Sequence, residues 1–247
     1  MNINKLKCFY DTKSIKLLLI IIFILSVFNC FNIPKINMPF ENKILFYIST
    51  SLYQMVVIII MYVYSLKLVK TYDFKDTITL RFSSKENYLK KIISITTINN
   101  LLIFVIFEIT GIFLLLIINF KNINFGFYEN YQIPFALYNI FISFKYFCIM
   151  NIICSIGIIL YKGFGVKFSL LYFLLILLLK DNCNYSIDVI NDFKMIKLFY
   201  GYYLYPFLYS SLSLEICAFS IIMCVLLSIK EFLYYYIVRK VPIKVGE

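Results

Sequence analysis

The chain has 247 residues, of which 62% are hydrophobic, 19% aromatic and only 15% charged, with a mean hydropathy of +0.86. Soluble domains hold apolar residues to roughly 45–50% of the sequence, so a water-soluble globule of this length is excluded. The formal net charge of +11 would point a soluble protein towards nucleic acid, but in so apolar a chain the basic residues act first as determinants of membrane orientation, and no nucleic-acid partner is expected.

The apolar residues fall into separate blocks, several of them longer than the roughly 18 residues that mark a spanning helix. They predict an all-α, polytopic membrane protein, a single transmembrane domain over 1–247 with six transmembrane helices. A basic start, MNINKLKCFYDTKSIK, leads into the first span at 15–31. Its end, SVFNC, lacks the small residues read by a signal peptidase, so the segment is expected to stay as an uncleaved span. The second span covers 44–66 and is followed by the polar, charge-dense stretch 67–91, KLVKTYDFKDTITLRFSSKENYLKK. The third covers 92–118; the loop after it carries Phe125, Phe127, Tyr128 and Tyr131, as aromatic rings at headgroup level require. The fourth covers 133–160, and the turn Tyr161-Lys162-Gly163-Phe164-Gly165 separates it from a short fifth at 166–181. A long outer loop, 180–203, precedes the sixth span at 204–229, which has Pro206 near its start.

Six spans place both ends on one side, and the loop charges test this independently. Four Lys/Arg precede the first span, seven lie in 67–91, two at 161–167 and four after 229; the opposite loops hold two, one and three, and Lys145 lies within a span. The positive-inside rule then puts both termini and the 67–91 segment in the cytoplasm, in a multi-pass protein of the cell membrane.

Histidine is absent and the seven cysteines form no CxxC pair, which excludes a Cys/His metal site, a Ser-His or Cys-His nucleophile and a zinc protease motif. No Walker A sequence is present, and every Asp falls in a loop or tail, Asp181 where the fifth span meets the outer loop. No catalytic, cofactor-binding or metal-binding residues are assigned, and no cofactor is expected. Cys30 and Cys183 fall on the outer side and are open to pairing.

Ser83-Ser84-Lys85-Glu86 fits a capping box, which would start a helix running through Tyr88 and Lys91 into the third span. The stretch 73–82 alternates charge with Ile78, Leu80 and Phe82, suiting it either to the inner membrane surface and its anionic lipid or to a protein partner. The arrangement Leu80-Arg81-Phe82-Ser83-Ser84-Lys85, then Tyr88 and Lys91, between the second and third of six spans, resembles the permease subunits of bacterial ABC-2 type exporters. These have a basic elbow in the same place, a basic N-terminal segment and a longer outer segment before the sixth span. The resemblance implies that Asp73, Asp76, Arg81, Ser83, Lys85, Glu86, Tyr88 and Lys91 form a cytosolic coupling elbow gripped by a separate ATP-binding subunit. It also implies a second permease subunit, identical or related, across the transport path. The chain itself would not be an enzyme. A non-transporting membrane protein, such as a bacteriocin-immunity or assembly factor, and a secondary transporter stand as alternatives.

Three ionisable residues interrupt the spans: Glu108, Lys145 and Glu215. At about 1.5 Å per residue, Glu108 lies roughly 24 Å into its span, Lys145 roughly 18 Å and Glu215 roughly 16 Å, so similar depths are expected. A charge facing lipid costs roughly 2.5–3.5 kcal/mol. Two readings stand: Lys145 ties one or both glutamates and fixes helix packing, or the three line a polar path. Asn99, Asn100, Asn119, Asn139 and Asn151 are expected to act as interhelical packing contacts.

Overall fold

The computed structural model describes residues 12–31, 40–49, 51–73, 84–119, 127–128, 131–185 and 211–240, and these are almost entirely helical. The helices are α1 (Thr12–Phe31), α2 (Phe40–Ser49), α3 (Ser51–Asp73), α4 (Lys85–Asn119), α5 (Phe135–Phe164), α6 (Val166–Tyr185) and α7 (Leu212–Lys240). Gln54–Thr71, Lys85–Ile118, Phe135–Phe164 and Leu212–Lys240 are long and apolar enough to cross a membrane, whereas Lys16–Phe31 and Val166–Leu177 are shorter apolar helices. These long apolar helices mark a membrane-embedded protein: in hydrocarbon a helix is the single-segment structure that satisfies its own backbone hydrogen bonds.

The described chain falls into two compact units, 1–123 with 243–247, and 124–242. In the first, α4 packs against α1, α2 and α3. The expected second span, 44–66, is divided between α2 and α3 at Ser49-Thr50-Ser51. Gln54 Nε2 on α3 donates to the Ile48 carbonyl on α2 at 3.4 Å. Polar contacts bind the helices elsewhere too. Ser65 Oγ donates to Asn100 Oδ1 at 2.8 Å and lies 3.5 Å from Asn99 Nδ2, all three buried. Asn29 Nδ2 donates to the Tyr47 carbonyl at 3.0 Å, and the Tyr47 hydroxyl reaches Ser26 Oγ at 3.0 Å and the Phe107 carbonyl at 3.5 Å. The Tyr47 ring lies over Gly111, where a Cβ would collide with it. Cys30 is a free, buried thiol 4.0 Å from the Gly111 carbonyl, and the Cys183 side chain lies outside the described residues.

The second unit opens with a hairpin of two-residue strands, β1 (Phe127–Tyr128) and β2 (Ile133–Pro134), paired antiparallel with Gln132 at φ 50° in the turn. Strands this short leave no periodic trace, and the all-α expectation did not include them. The hairpin holds Ile133 and Pro134, so α5 begins at Phe135 and runs to Phe164, later at both ends than the expected 133–160. Gly165, at φ 88°, ends it in the left-handed region, its N–H donating to the Tyr161 carbonyl at 2.9 Å. The chain reverses there into α6, which runs antiparallel to α5: Ser169 Oγ donates to the Gly157 carbonyl at 2.6 Å and the Tyr172 hydroxyl to the Ile153 carbonyl at 3.4 Å. Helix α7 runs parallel to α5, since Phe141 and Phe144 meet Phe219, and further on Gly163 meets Ile237.

Tyr47 is fully buried and held by its hydroxyl, so it cannot swing clear of an enlarged Gly111. Gly111→Ala is expected to cost about 1–3 kcal/mol through overpacking, read as a lower melting temperature in detergent. Gly111→Ala combined with Tyr47→Ala should melt well above the sum of the two single effects. A Gly111→Ala protein that melts like the wild type would show that the ring can step aside.

Candidate functional site

Tyr138 and Lys145 are seven residues apart on α5, two turns along one face, and both point to one carboxylate. Lys145 Nζ donates to Glu215 Oε1 at 2.6 Å, and the Tyr138 hydroxyl donates to Glu215 Oε2 at 2.9 Å. Both members of the ion pair are 1% exposed. The ammonium also lies 6.0 Å from the Phe141 ring centroid and 5.9 Å from that of Tyr146, at the outer limit of cation–π attraction. Tyr131, beside the hairpin, meets Tyr138 edge-on at 5.3 Å.

Glu215 is not mid-span, as a helix over 204–229 would have made it. The described helix begins at Leu212, where Ser211 Oγ accepts the Leu214 N–H at 3.4 Å and the Ser211 carbonyl accepts the Glu215 N–H at 3.2 Å. Glu215 is therefore in the first turn, roughly 5 Å into the helix, where the positive end of the helix dipole favours a carboxylate. Lys145, roughly 15 Å into α5, is long enough to reach back towards the helix start, the direction in which helical side chains lean. Within the second unit an acid in the first turn of α7 is thus served by a base from the third turn of α5.

Glu108 lies on α4 in the first unit, buried and within electrostatic range of the Tyr47 hydroxyl. The structure thus joins Lys145 to Glu215 and to a tyrosine absent from the sequence expectation. Tyr138 is one of 22 tyrosines; its seven-residue spacing from Lys145 is the signal that could have singled it out. Ser65 and Tyr47 were missed for a similar reason, since each matters through a partner distant in sequence. Among the described residues no group of His, Cys, Asp or Glu is placed to hold a metal ion.

Of the elbow residues, Asp76, Arg81 and Ser83 lie outside the described residues, and Asp73 ends α3. The capping serine is Ser84: its Oγ accepts the Asn87 N–H at 3.2 Å, and α4 starts at Lys85. Glu86 receives Lys90 Nζ at 2.5 Å across one turn. Lys85, Glu86, Lys90 and Lys91 are exposed, while Tyr88 and Leu89 between them are buried. The first two turns of α4 therefore carry a charged outer face over an apolar root. Comparison of the chain with protein-family models, with curated proteins and with solved structures finds no match.

Chemically, the Tyr138–Glu215–Lys145 group is an anchor, because both carboxylate oxygens and the ammonium are already engaged. Lys145→Met would leave Glu215 buried with the phenol alone, a loss expected to cost about 3–5 kcal/mol. Adding Glu215→Gln should recover most of the melting temperature, whereas adding Glu108→Gln should not. Equal recovery by both second substitutions would refute Glu215 as the partner.

Proposed function

We propose that this chain is the membrane-spanning permease subunit of an ATP-driven exporter, with six spans, both termini in the cytoplasm and a separate ATPase gripping the 67–91 elbow. The ATP-binding subunit hydrolyses nucleotide, a second permease subunit completes the path, and this chain converts movement at the elbow into movement of its helices. One observation carries the reading: α4 is continuous from an exposed, charged start at Lys85 into an apolar span. Its 35 residues extend roughly 52 Å, against a hydrocarbon thickness of roughly 30 Å, so more than a full turn stands clear of the bilayer. Tyr88 and Leu89 root that projecting end in the unit, and the Ser65–Asn99–Asn100 clamp ties α3 to α4 on the membrane side of the elbow. Both support a rigid element that passes on an applied force. The distribution of basic loops and the likeness of 80–91 to exporter elbows support the orientation and the partner.

Purification from the protein's own membranes is expected to bring down a soluble ATP-binding subunit. Arg81→Glu with Lys85→Glu and Lys91→Glu should release that subunit while membrane insertion and melting temperature stay near wild type. Recovery of a lone homomer, or of a peptide toxin, would overturn the reading in favour of a non-transporting protein.

A further inference from the structure

We propose that the end of the second unit where α5 turns into α6 and α7 terminates is a docking surface for anionic phospholipid headgroups. The inference stands apart from the exporter reading and needs only that the helices lie in a membrane. Three helix ends meet there. A Cβ at Gly163 would fall 2.5 Å from Ile237 Cδ1, so α5 and α7 are in direct backbone-to-side-chain contact. The Phe164 ring lies 5.6 Å from Phe168 on α6 and stacks on Tyr236 of α7 at 6.5 Å and 23°. Around this aromatic centre stand Lys162 from the end of α5, Lys167 from the first turn of α6, and Arg239 and Lys240 from the last turn of α7. Residues 160–170 and 230–240 contain a single carboxylate, Glu231, and it is paired with Lys230 at 3.3 Å. The exposed cations Lys167, Arg239 and Lys240 therefore meet no further carboxylate within these two segments.

Lys162 is 1% exposed, its ammonium 5.4 Å from the Tyr161 ring centroid, so it is held within the protein and the ligand-facing cations are the other three. Lys167, Arg239 and Lys240 are exposed and free to meet a ligand. The Arg239 guanidinium lies 4.1 Å from the Tyr235 ring centroid, which holds it by its face and leaves its N–H edge for phosphate oxygens.

The aromatic residues select lipid over a soluble anion. Phe168, Tyr235 and Tyr236 are 59%, 53% and 43% exposed beside the cations. The 29 residues of α7 extend roughly 43 Å, longer than a hydrocarbon layer of roughly 30 Å, so its final turns reach the headgroup layer. There the rings meet the acyl–headgroup boundary while the cations meet phosphate. A phospholipid with net negative charge satisfies both halves; a nucleic acid or acidic peptide would leave the rings in water.

The test is native mass spectrometry of the full chain released from nanodiscs of equal parts phosphatidylglycerol and phosphatidylcholine. Wild type is expected to retain phosphatidylglycerol preferentially. Lys167→Gln with Arg239→Gln and Lys240→Gln should lower that preference by about tenfold or more, a cation near an anionic surface being worth about fivefold. Lys85→Gln with Lys90→Gln and Lys91→Gln, on the first unit, should keep it. The charge-conserving triple Lys167→Arg, Arg239→Lys and Lys240→Arg should also keep it, which holds the test open if the neutral triple folds poorly. Stabilisation of wild type by phosphatidylglycerol vesicles but not by inorganic phosphate is expected as well. Retention unchanged in the neutral triple, loss shared equally with the α4 triple, or equal stabilisation by inorganic phosphate would each overturn the proposal.

Discussion

A carboxylate and an ammonium placed in hydrocarbon can neither be hydrated nor separated without a large electrostatic cost, and the second unit is assembled around that constraint. Glu215 is held on one oxygen by Lys145 and on the other by Tyr138, so α7 is tied to α5 although α6 and residues 186–210 intervene in sequence. The tie matters more because α7 has little else: 17% of its span is buried by protein, against 72% for α5. At its far end the close contact of Gly163 with Ile237 is the second fixing point. A helix pinned at both ends and largely open to lipid between them is what a bilayer permits, since lipid tails supply no hydrophobic drive for helices to associate.

In the first unit, where Glu108 on α4 is also buried, the helices are bound chiefly by uncharged groups. Ser65, Asn99 and Asn100 satisfy one another between α3 and α4, and Tyr47 gathers Ser26, Asn29 and the Phe107 carbonyl between α1, α2 and α4. Each such bond is worth only about 0.6–2 kcal/mol in a membrane. Several are needed, and they come with a glycine that lets a bulky side chain close on the helix backbone: Tyr47 at Gly111 here, Ile237 at Gly163 in the second unit. Close packing thus supplies what apolar burial would supply in water.

These rules explain which features the sequence discloses. Long apolar runs are visible directly, because membrane thickness sets their length: the helices near 92–118 and 133–160 lie where the runs do, and the helix start near Ser84 follows from its local capping residues. The division of 44–66 between α2 and α3 was hidden because apolar runs lie on both sides of it, and the bond from Gln54 to Ile48 that spans it leaves no periodic signal. The cap at Ser211 was not legible because it is a matter of individual hydrogen bonds within an apolar run that Leu204, Tyr205 and Phe207 begin, residues 204–210 themselves lying outside the described residues. Charge inside a span showed that Lys145 needed an acid, but Glu108 and Glu215 look equivalent in one dimension. Only the fold brings Tyr138 and Lys145 to the same carboxylate.

The positions of charge also separate two kinds of work. Charge that is buried and fully engaged, as at Lys145 and Glu215, resists movement, since shifting either helix exposes an ion to lipid. Charge at helix ends, as at Lys85 to Lys91 on α4 and at Arg239 and Lys240 on α7, is exposed and costs little to rearrange. A force applied to the start of α4 would therefore travel along a continuous helix and through the Asn99–Asn100 clamp into α3, the first unit having neutral hydrogen bonds that can be exchanged one at a time. The second unit, locked by an ion pair that cannot be exchanged piecemeal, is suited to holding its place against the lipid.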